Sequence, residues 1–159
     1  MTIAATQQRY LVRRNANYDL MLHRHSGSSH ETAEVAHIPE SQIAKAVVVK
    51  DATGYALVVI PANNMLRLKC LRRDLHRDFQ LVSEMELARL FADCEPGAVP
   101  PLGPAYGIET LLDEALTCLP DVYLEAGDHE QLVHLSGDEF LSLLGGARRG
   151  YFSRERHSI

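Results

Sequence analysis

Apolar positions along this chain change period several times, and the changes delimit elements. Residues 44–50 and 55–60 are nearly continuous apolar runs rich in Val and Ile, the pattern of strands covered on both faces. Asp51-Ala52-Thr53-Gly54 between them has turn chemistry, so the two runs predict a hairpin. Residues 3–14 read as a short helix with Ile3, Leu11 and Val12 as apolar contacts, and 18–22 as a short strand. Ser26-Gly27-Ser28-Ser29 breaks the chain, with Ser29 the candidate N-cap of a helix reaching about Ala36 that Pro39 closes. Leu68, Leu71 and Leu75 fall at helical spacing within 66–75. Ser83-Glu84-Met85-Glu86 is a capping box opening a helix to about Ala92. Ser136-Gly137-Asp138-Glu139 is another, for a helix that stops at Gly145-Gly146. Residues 110–112, 122–124 and 132–135 are further strand candidates. A hairpin, scattered strands and interspersed helices predict a single α/β (α+β) domain built on a mixed sheet. That domain is expected over 1–149, with 150–159 a flexible basic tail.

Composition narrows the class. At 159 residues and 46% hydrophobic content, one globular domain is expected. With 6% aromatics and no Trp, its core is mostly aliphatic. No apolar run approaches the roughly 20 residues that span a bilayer, and the N-terminal residues lack a secretory pattern. Cys70, Cys94 and Cys118 are odd in number and far apart, neither a disulfide framework nor a metal knuckle. A cytoplasmic protein with reduced thiols, no membrane partner and no cofactor is expected. The net charge of −5 argues against whole-surface nucleic-acid binding. Locally, however, Arg67, Lys69, Arg72, Arg73 and Arg77 put five cations within eleven positions.

Chemistry concentrates in two places. The segment 95–103 holds Pro96, Pro100, Pro101, Gly97 and Gly103. It predicts a stiff loop that offers backbone N–H groups rather than side chains. Lys45 opens the first apolar run; read alone, it is a strand-end lysine whose amine reaches solvent or a cleft. Competing motifs fail. His30-Glu31-Thr32-Ala33-Glu34 lacks the second histidine of a zincin helix, and there is no nucleophile elbow, P-loop or zinc-deaminase signature. His23, His25, His30 and His37 lack partners at metal-ligand spacing, so no metal is expected. Nothing in the sequence activates Cys94 as a nucleophile.

Ile43-Ala44-Lys45, Gly54-Tyr55 through Ile60-Pro61, Glu86 through Phe91, Gly97-x-x-x-Pro101-x-Gly103, Asp113 and Ala126-Gly127-Asp128-His129 carry a resemblance. In order and spacing, over roughly residues 18–145, they resemble the YbaK/prolyl-tRNA synthetase-associated domain family of freestanding aminoacyl-tRNA deacylases. The resemblance implies a pseudo-barrel mixed sheet flanked by helices. It implies hydrolysis of mischarged aminoacyl-tRNA, tRNA(Pro) species leading. Lys45 matches the family's functional lysine and would engage the terminal nucleotide. Gly97, Pro101 and Gly103 would frame the catalytic loop. His129 would border the amino-acid pocket with His23, Ala46, Ala98, Val99, Pro100 and Gly127. Relatives carry differing residues at the Ala46 position, and the alanine here withholds a side-chain hydrogen bond. The basic segment from Arg67 to Arg77 would then grip the tRNA acceptor end through phosphates, with an aminoacyl-tRNA synthetase a possible second partner. Two other readings stay open: a non-catalytic tRNA- or synthetase-binding module of the same fold, and a hydrolase of free amino-acid esters.

Overall fold

The computed structural model describes residues 3–156, apart from the side chain of Ser29. The chain runs α1 (Ala5–Arg13), β1 (Asp19–Leu22), α2 (Ser29–Ala36), β2 (Ile43–Asp51), β3 (Gly54–Pro61), β4 (Asn64–Leu66), α3 (Leu68–Leu75), β5 (Gln80–Leu81) and α4 (Glu84–Leu90). It continues through β6 (Glu109–Asp113), β7 (Asp121–Glu125), β8 (Gln131–Ser136), α5 (Gly137–Leu144), β9 (Arg148–Gly150) and β10 (Ser153–Glu155). The predicted hairpin forms: β2 and β3 pair without a break from Ala44↔Pro61 to Asp51↔Gly54. Gly54 turns the chain at φ 135°, a conformation only glycine adopts cheaply.

One mixed sheet runs in the order β1-β8-β7-β2-β3-β6-β9, with β5 added beside β2. The β2–β7, β3–β6 and β6–β9 pairs are parallel. Five helices flank it, as the mixed α/β expectation requires. Along β2 the two-residue period sorts side chains between two faces. Ala44, Ala46 and Val48 face a core with Leu11 of α1, Phe140 of α5 and Leu102. Val47 and Val49 face Leu71 of α3 and Phe152, and Ile43 faces Ala33 of α2. Each large side chain fully buried here contributes roughly 1.5–3 kcal/mol relative to exposure.

Both capping boxes form, Ser83 Oγ accepting from the Glu86 N–H at 3.3 Å and Ser136 Oγ from the Glu139 N–H at 3.1 Å. For α2 the cap is Ser28, one residue earlier than expected. Ser28 is extended and its Oγ accepts from the Glu31 N–H at 3.1 Å, whereas Ser29 is already helical. Leu66 closes a short strand rather than opening α3.

The segment expected as a loose tail is packed through Arg156. β9 lies beside β6, β10 pairs with β4, and Phe152 is buried between them. Asp113 fastens this turn: its Oδ2 accepts from the Phe152 N–H at 2.9 Å and the Ser153 hydroxyl at 2.8 Å. The packed domain therefore extends past residue 149, and the last three residues of the expected tail, 157–159, lie outside the described residues. Among the described residues no helix is long and apolar enough to cross a membrane.

Candidate active site

Strand β2 shares its outer edge between two partners. β7 pairs with Ile43 and Ala44, β5 with Val49 and Lys50. Among the described residues, positions 45–47 have no strand partner on that edge. Backbone groups inside a sheet are normally paired, so a gap there leaves a slot for water or a ligand. β7 runs parallel to β2, so Glu125 through His129 continue along the rim of the slot. The loop after α4 crosses to the same rim, where the Glu95 N–H donates to the Gly127 carbonyl at 2.8 Å.

At that rim His129 is buried and holds a left-handed φ of 58°. Its Nε2–H donates to the Pro96 carbonyl at 2.6 Å. A carbonyl only accepts, so the proton is assigned to Nε2 and Nδ1 is left facing inward without a partner. Gly97 lies beside this ring at φ 80°: a Cβ there would touch His129 Cε1 at 3.6 Å, an ordinary van der Waals contact, so it is the backbone angle that favours glycine. His25 meets the His129 ring edge-on at 5.5 Å and sits 3.5 Å from Glu95 Oε1. His23 is tied by its N–H to the Glu130 carbonyl at 2.8 Å. Its Nδ1–H donates to the Arg24 carbonyl at 2.7 Å, and its Nε2 is buried without a partner.

Sequence reasoning missed Glu125. It is 4% exposed, with Oε1 3.5 Å from the Thr32 hydroxyl and Oε2 unpartnered. Burial pushes its carboxyl pKa up to about 7; a protonated His129 would oppose this, and the Asp128 charge adds to it. A glutamate closing an apolar strand gives no sequence sign of burial. Four of the six buried, unpartnered side-chain atoms among the described residues belong to His23, Glu95, Glu125 and His129. Buried polar groups are almost always paired, so their concentration on these bonded neighbouring segments makes this the candidate site.

Lys45 leaves β2 on the α2/α3 face, opposite Ala46. Its half-buried ammonium makes no hydrogen bond or ion pair among the described residues. Burial lowers its pKa, the nearby Arg156 charge lowers it further, and Glu40 raises it. On the other face Ala46 and Val99 pack against the same core. Ala98, Pro100 and Pro101 are buried, whereas Gly97 is exposed. The N–H groups of Gly97 and Val99 reach no acceptor among the described residues, while that of Ala98 bonds Glu95 O at 3.0 Å. Gly103 lies elsewhere: a Cβ there would fall 1.9 Å from Thr110 Oγ1, so its glycine serves close packing on β6. Gly127, at φ 113°, similarly lets Ala4 approach to 2.9 Å from the position a Cβ would take.

The five clustered cations separate. Arg77 is a brace: it bonds Asp51 at 2.7 and 3.1 Å, Glu109 at 2.8 and 2.9 Å and Thr53 at 2.9 Å, and stacks on Phe79. These bonds hold the Asp51 carboxyl far below the usual carboxylate range. Arg72 donates to the Phe79 carbonyl at 2.7 Å and Arg73 pairs with Asp74 at 3.2 Å. Arg67 and Lys69 are exposed, with no side-chain partner among the described residues. Burial pushes the Cys94 thiol up to about 12, which keeps it protonated and unreactive. A surface hollow of about 440 Å³ lies beside Glu40, lined also by His30, Ala33, Glu34, His37 and Ile38.

Comparison with known proteins fits this geometry. Residues 23–143 match the aminoacyl-tRNA editing domain family, and the chain belongs to that family. No curated protein matches the chain. Among solved structures, the chain is similar to a protein proposed as a trans-editing enzyme for prolyl tRNA synthetase, at 24% identity and TM-score 0.81, over 95% of this chain and 96% of that one. It is also similar to a hypothetical protein, at 24% identity and TM-score 0.82, over 94% and 99% of the two chains. A scaffold used for computational epitope grafting matches at 22% identity and TM-score 0.81, over 96% and 97%. At these identities the likeness establishes the fold.

Proposed function

We propose that this chain is a trans-editing aminoacyl-tRNA deacylase, hydrolysing the ester between a misacylated amino acid and the terminal ribose. The observation that carries the reading is the open β2 edge at residues 45–47, with the unpaired Lys45 ammonium on one face of the strand and, on the other, Ala46 packed in the same core as Val99 of the loop, near the buried unpartnered atoms of Glu125 and His129. Water adds to the ester carbonyl, the carbon–ribose oxygen bond breaks, and the ribose oxygen takes up a proton. The Gly97 and Val99 N–H groups would stabilise the oxyanion that forms, each such donor being worth roughly 10²–10³ in rate. The His129 Nδ1 lone pair suits the substrate's α-ammonium, and Lys45 suits a phosphate of the terminal nucleotide. A second sieve of this kind is needed because one methylene separates substrates by only about 1–3 kcal/mol in a synthetase pocket. The likeness to a proposed prolyl-tRNA synthetase trans-editing enzyme makes mischarged tRNA(Pro) the first substrate to try.

The test is a deacylation panel of mischarged tRNAs with purified protein and Lys45→Ala as control. Turnover of at least one substrate, lost in the variant and reduced by salt, is expected. Absence of turnover at stoichiometric protein would overturn the reading in favour of a non-catalytic binding module. Hydrolysis that ignores tRNA and salt would replace it with a free-ester hydrolase.

A further inference from the structure

The family match ends at residue 143, yet the chain beyond it returns to the candidate site. β10 pairs with β4, Phe152 is buried, and the Arg156 N–H donates to the Asn63 carbonyl at 3.1 Å. These bonds bring the Arg156 guanidinium to the end of the β2–β3 hairpin. There Nη2 alone makes two bonds, to Glu40 Oε2 at 2.9 Å and to the Ala62 carbonyl at 2.8 Å. Nε and Nη1 have no acceptor among the described residues. Ala62 is tied back to Ile43 through its N–H at 2.8 Å, two residues before Lys45. Lys45 pairs across the hairpin with Ile60, so its side chain emerges beside the same strand end.

Two cations thus stand at one strand end, and while Glu40 and the Ala62 carbonyl account for Arg156, no bond among the described residues accounts for the Lys45 ammonium. The Lys45 ammonium is half-buried and unpaired, and the Arg156 charge acts on it unfavourably. Glu40 offsets part of this, but it is already shared with Arg156 and with His30 at 2.6 Å. A partly desolvated ammonium with no ion-pair partner of its own, beside a second cation, is costly unless an anion joins it. Arg156 is held by one nitrogen, which leaves a planar edge of free donors suited to phosphate oxygens. We propose that Arg156 and Lys45 together seat a phosphate of the tRNA 3′ end, with Glu40 and the Ala62 carbonyl aiming the guanidinium. Arg156 is then a substrate-binding residue supplied from outside the matched domain. The inference rests on the deacylase reading for the nature of its ligand, but it is tested without turnover.

The experiment measures binding of a fluorescent RNA minihelix ending in single-stranded CCA to the full chain, at several salt concentrations. Arg156→Ala and Arg156→Gln are each expected to weaken binding by roughly 3–10-fold and to reduce the salt slope by about one. Lys45→Ala combined with Arg156→Ala should cost less than the product of the single losses, because both cations contact one phosphate. Glu40→Gln keeps both cations, an amide oxygen that can still accept from Nη2, and the Ala62 carbonyl, while it removes a competing negative charge, so binding should fall by less than about 2-fold or tighten. If Arg156 served only to fasten the C-terminal segment, Glu40→Gln would weaken binding as Arg156→Ala does, and the proposal would fail. Wild-type affinity and slope in the Arg156 variants, or no measurable binding by the wild type, would also overturn it. Competition by inorganic phosphate at matched ionic strength should weaken in the Arg156 variants, and competition that is the same in wild type and variants would contradict a seat built on Arg156. Arg156-dependent binding without any deacylation would sink the catalytic reading and leave this one standing.

Discussion

Strand β2 carries a cation-rich network at each end, and the two ends are built on opposite plans. At the Asp51 end every charge is matched: Arg77 bonds Asp51, Glu109 and Thr53 and covers Phe79. At the Lys45 end the ammonium has no partner, the strand edge is open at 45–47, and neighbouring acceptors on Glu125 and His129 are unpaired. The same strand and the same residue chemistry therefore serve two purposes. Satisfied charges fix the hairpin against β6, whereas unsatisfied ones cost stability and make sense where a substrate completes them.

The sharpest way to break this comparison is to exchange charge for apolar bulk at each end. Lys45→Met should lower deacylation by about 10²-fold or more while Tm holds or rises, because an uncompensated, partly desolvated cation is removed. A parallel loss of Tm and rate, followed by differential scanning and initial rates, would erase the distinction. Glu125→Gln comes next. Its carboxyl pKa is raised above the unfolded value, so the folded state keeps a proton that the unfolded state has lost between about pH 4.5 and 7. Stability through this group therefore falls as pH rises across that window, by about 3 kcal/mol in all. Denaturant melts across pH should show that slope in the wild type and a flatter profile in Glu125→Gln. Arg77→Ala should lower Tm by several degrees, since it strands Asp51, and leave kcat unchanged. A fall in kcat with unchanged Tm would place Arg77 with the substrate instead. Gly97→Ala is the mildest: its φ of 80° makes a side chain cost about 1–2 kcal/mol. The same substitution should slow turnover by straining the backbone that carries the Gly97 and Val99 N–H groups.

Much of this was legible in the sequence where local chemistry and periodicity agree. The hairpin announces itself through two apolar runs and an Asp-to-Gly turn, and both capping boxes fall where Ser and Glu stand three apart. The contact between Gly97 and His129 is a product of the fold, since no local pattern joins two residues 32 positions apart. The C-terminal strands were not legible because three-residue strands of Arg, Gly, Ser and Glu have no apolar alternation, and Phe152 alone signals burial. Arg77 could not be told from Arg67 along the chain, since only the fold brings Asp51 and Glu109 to it. Gly103 follows the loop motif, yet the fold places its α-carbon against Thr110 rather than beside His129.

The most direct test is an amide-nitrogen NMR titration with a non-hydrolysable aminoacyl-adenosine 5′-phosphate carrying an amide in place of the ester. Shifts are expected at Lys45, Ala46, Gly97, Val99 and His129, with the Arg77 end of β2 silent. Shifts clustered around Asp51, Arg77 and Glu109, or none at millimolar ligand, would contradict a substrate site at the Lys45 end.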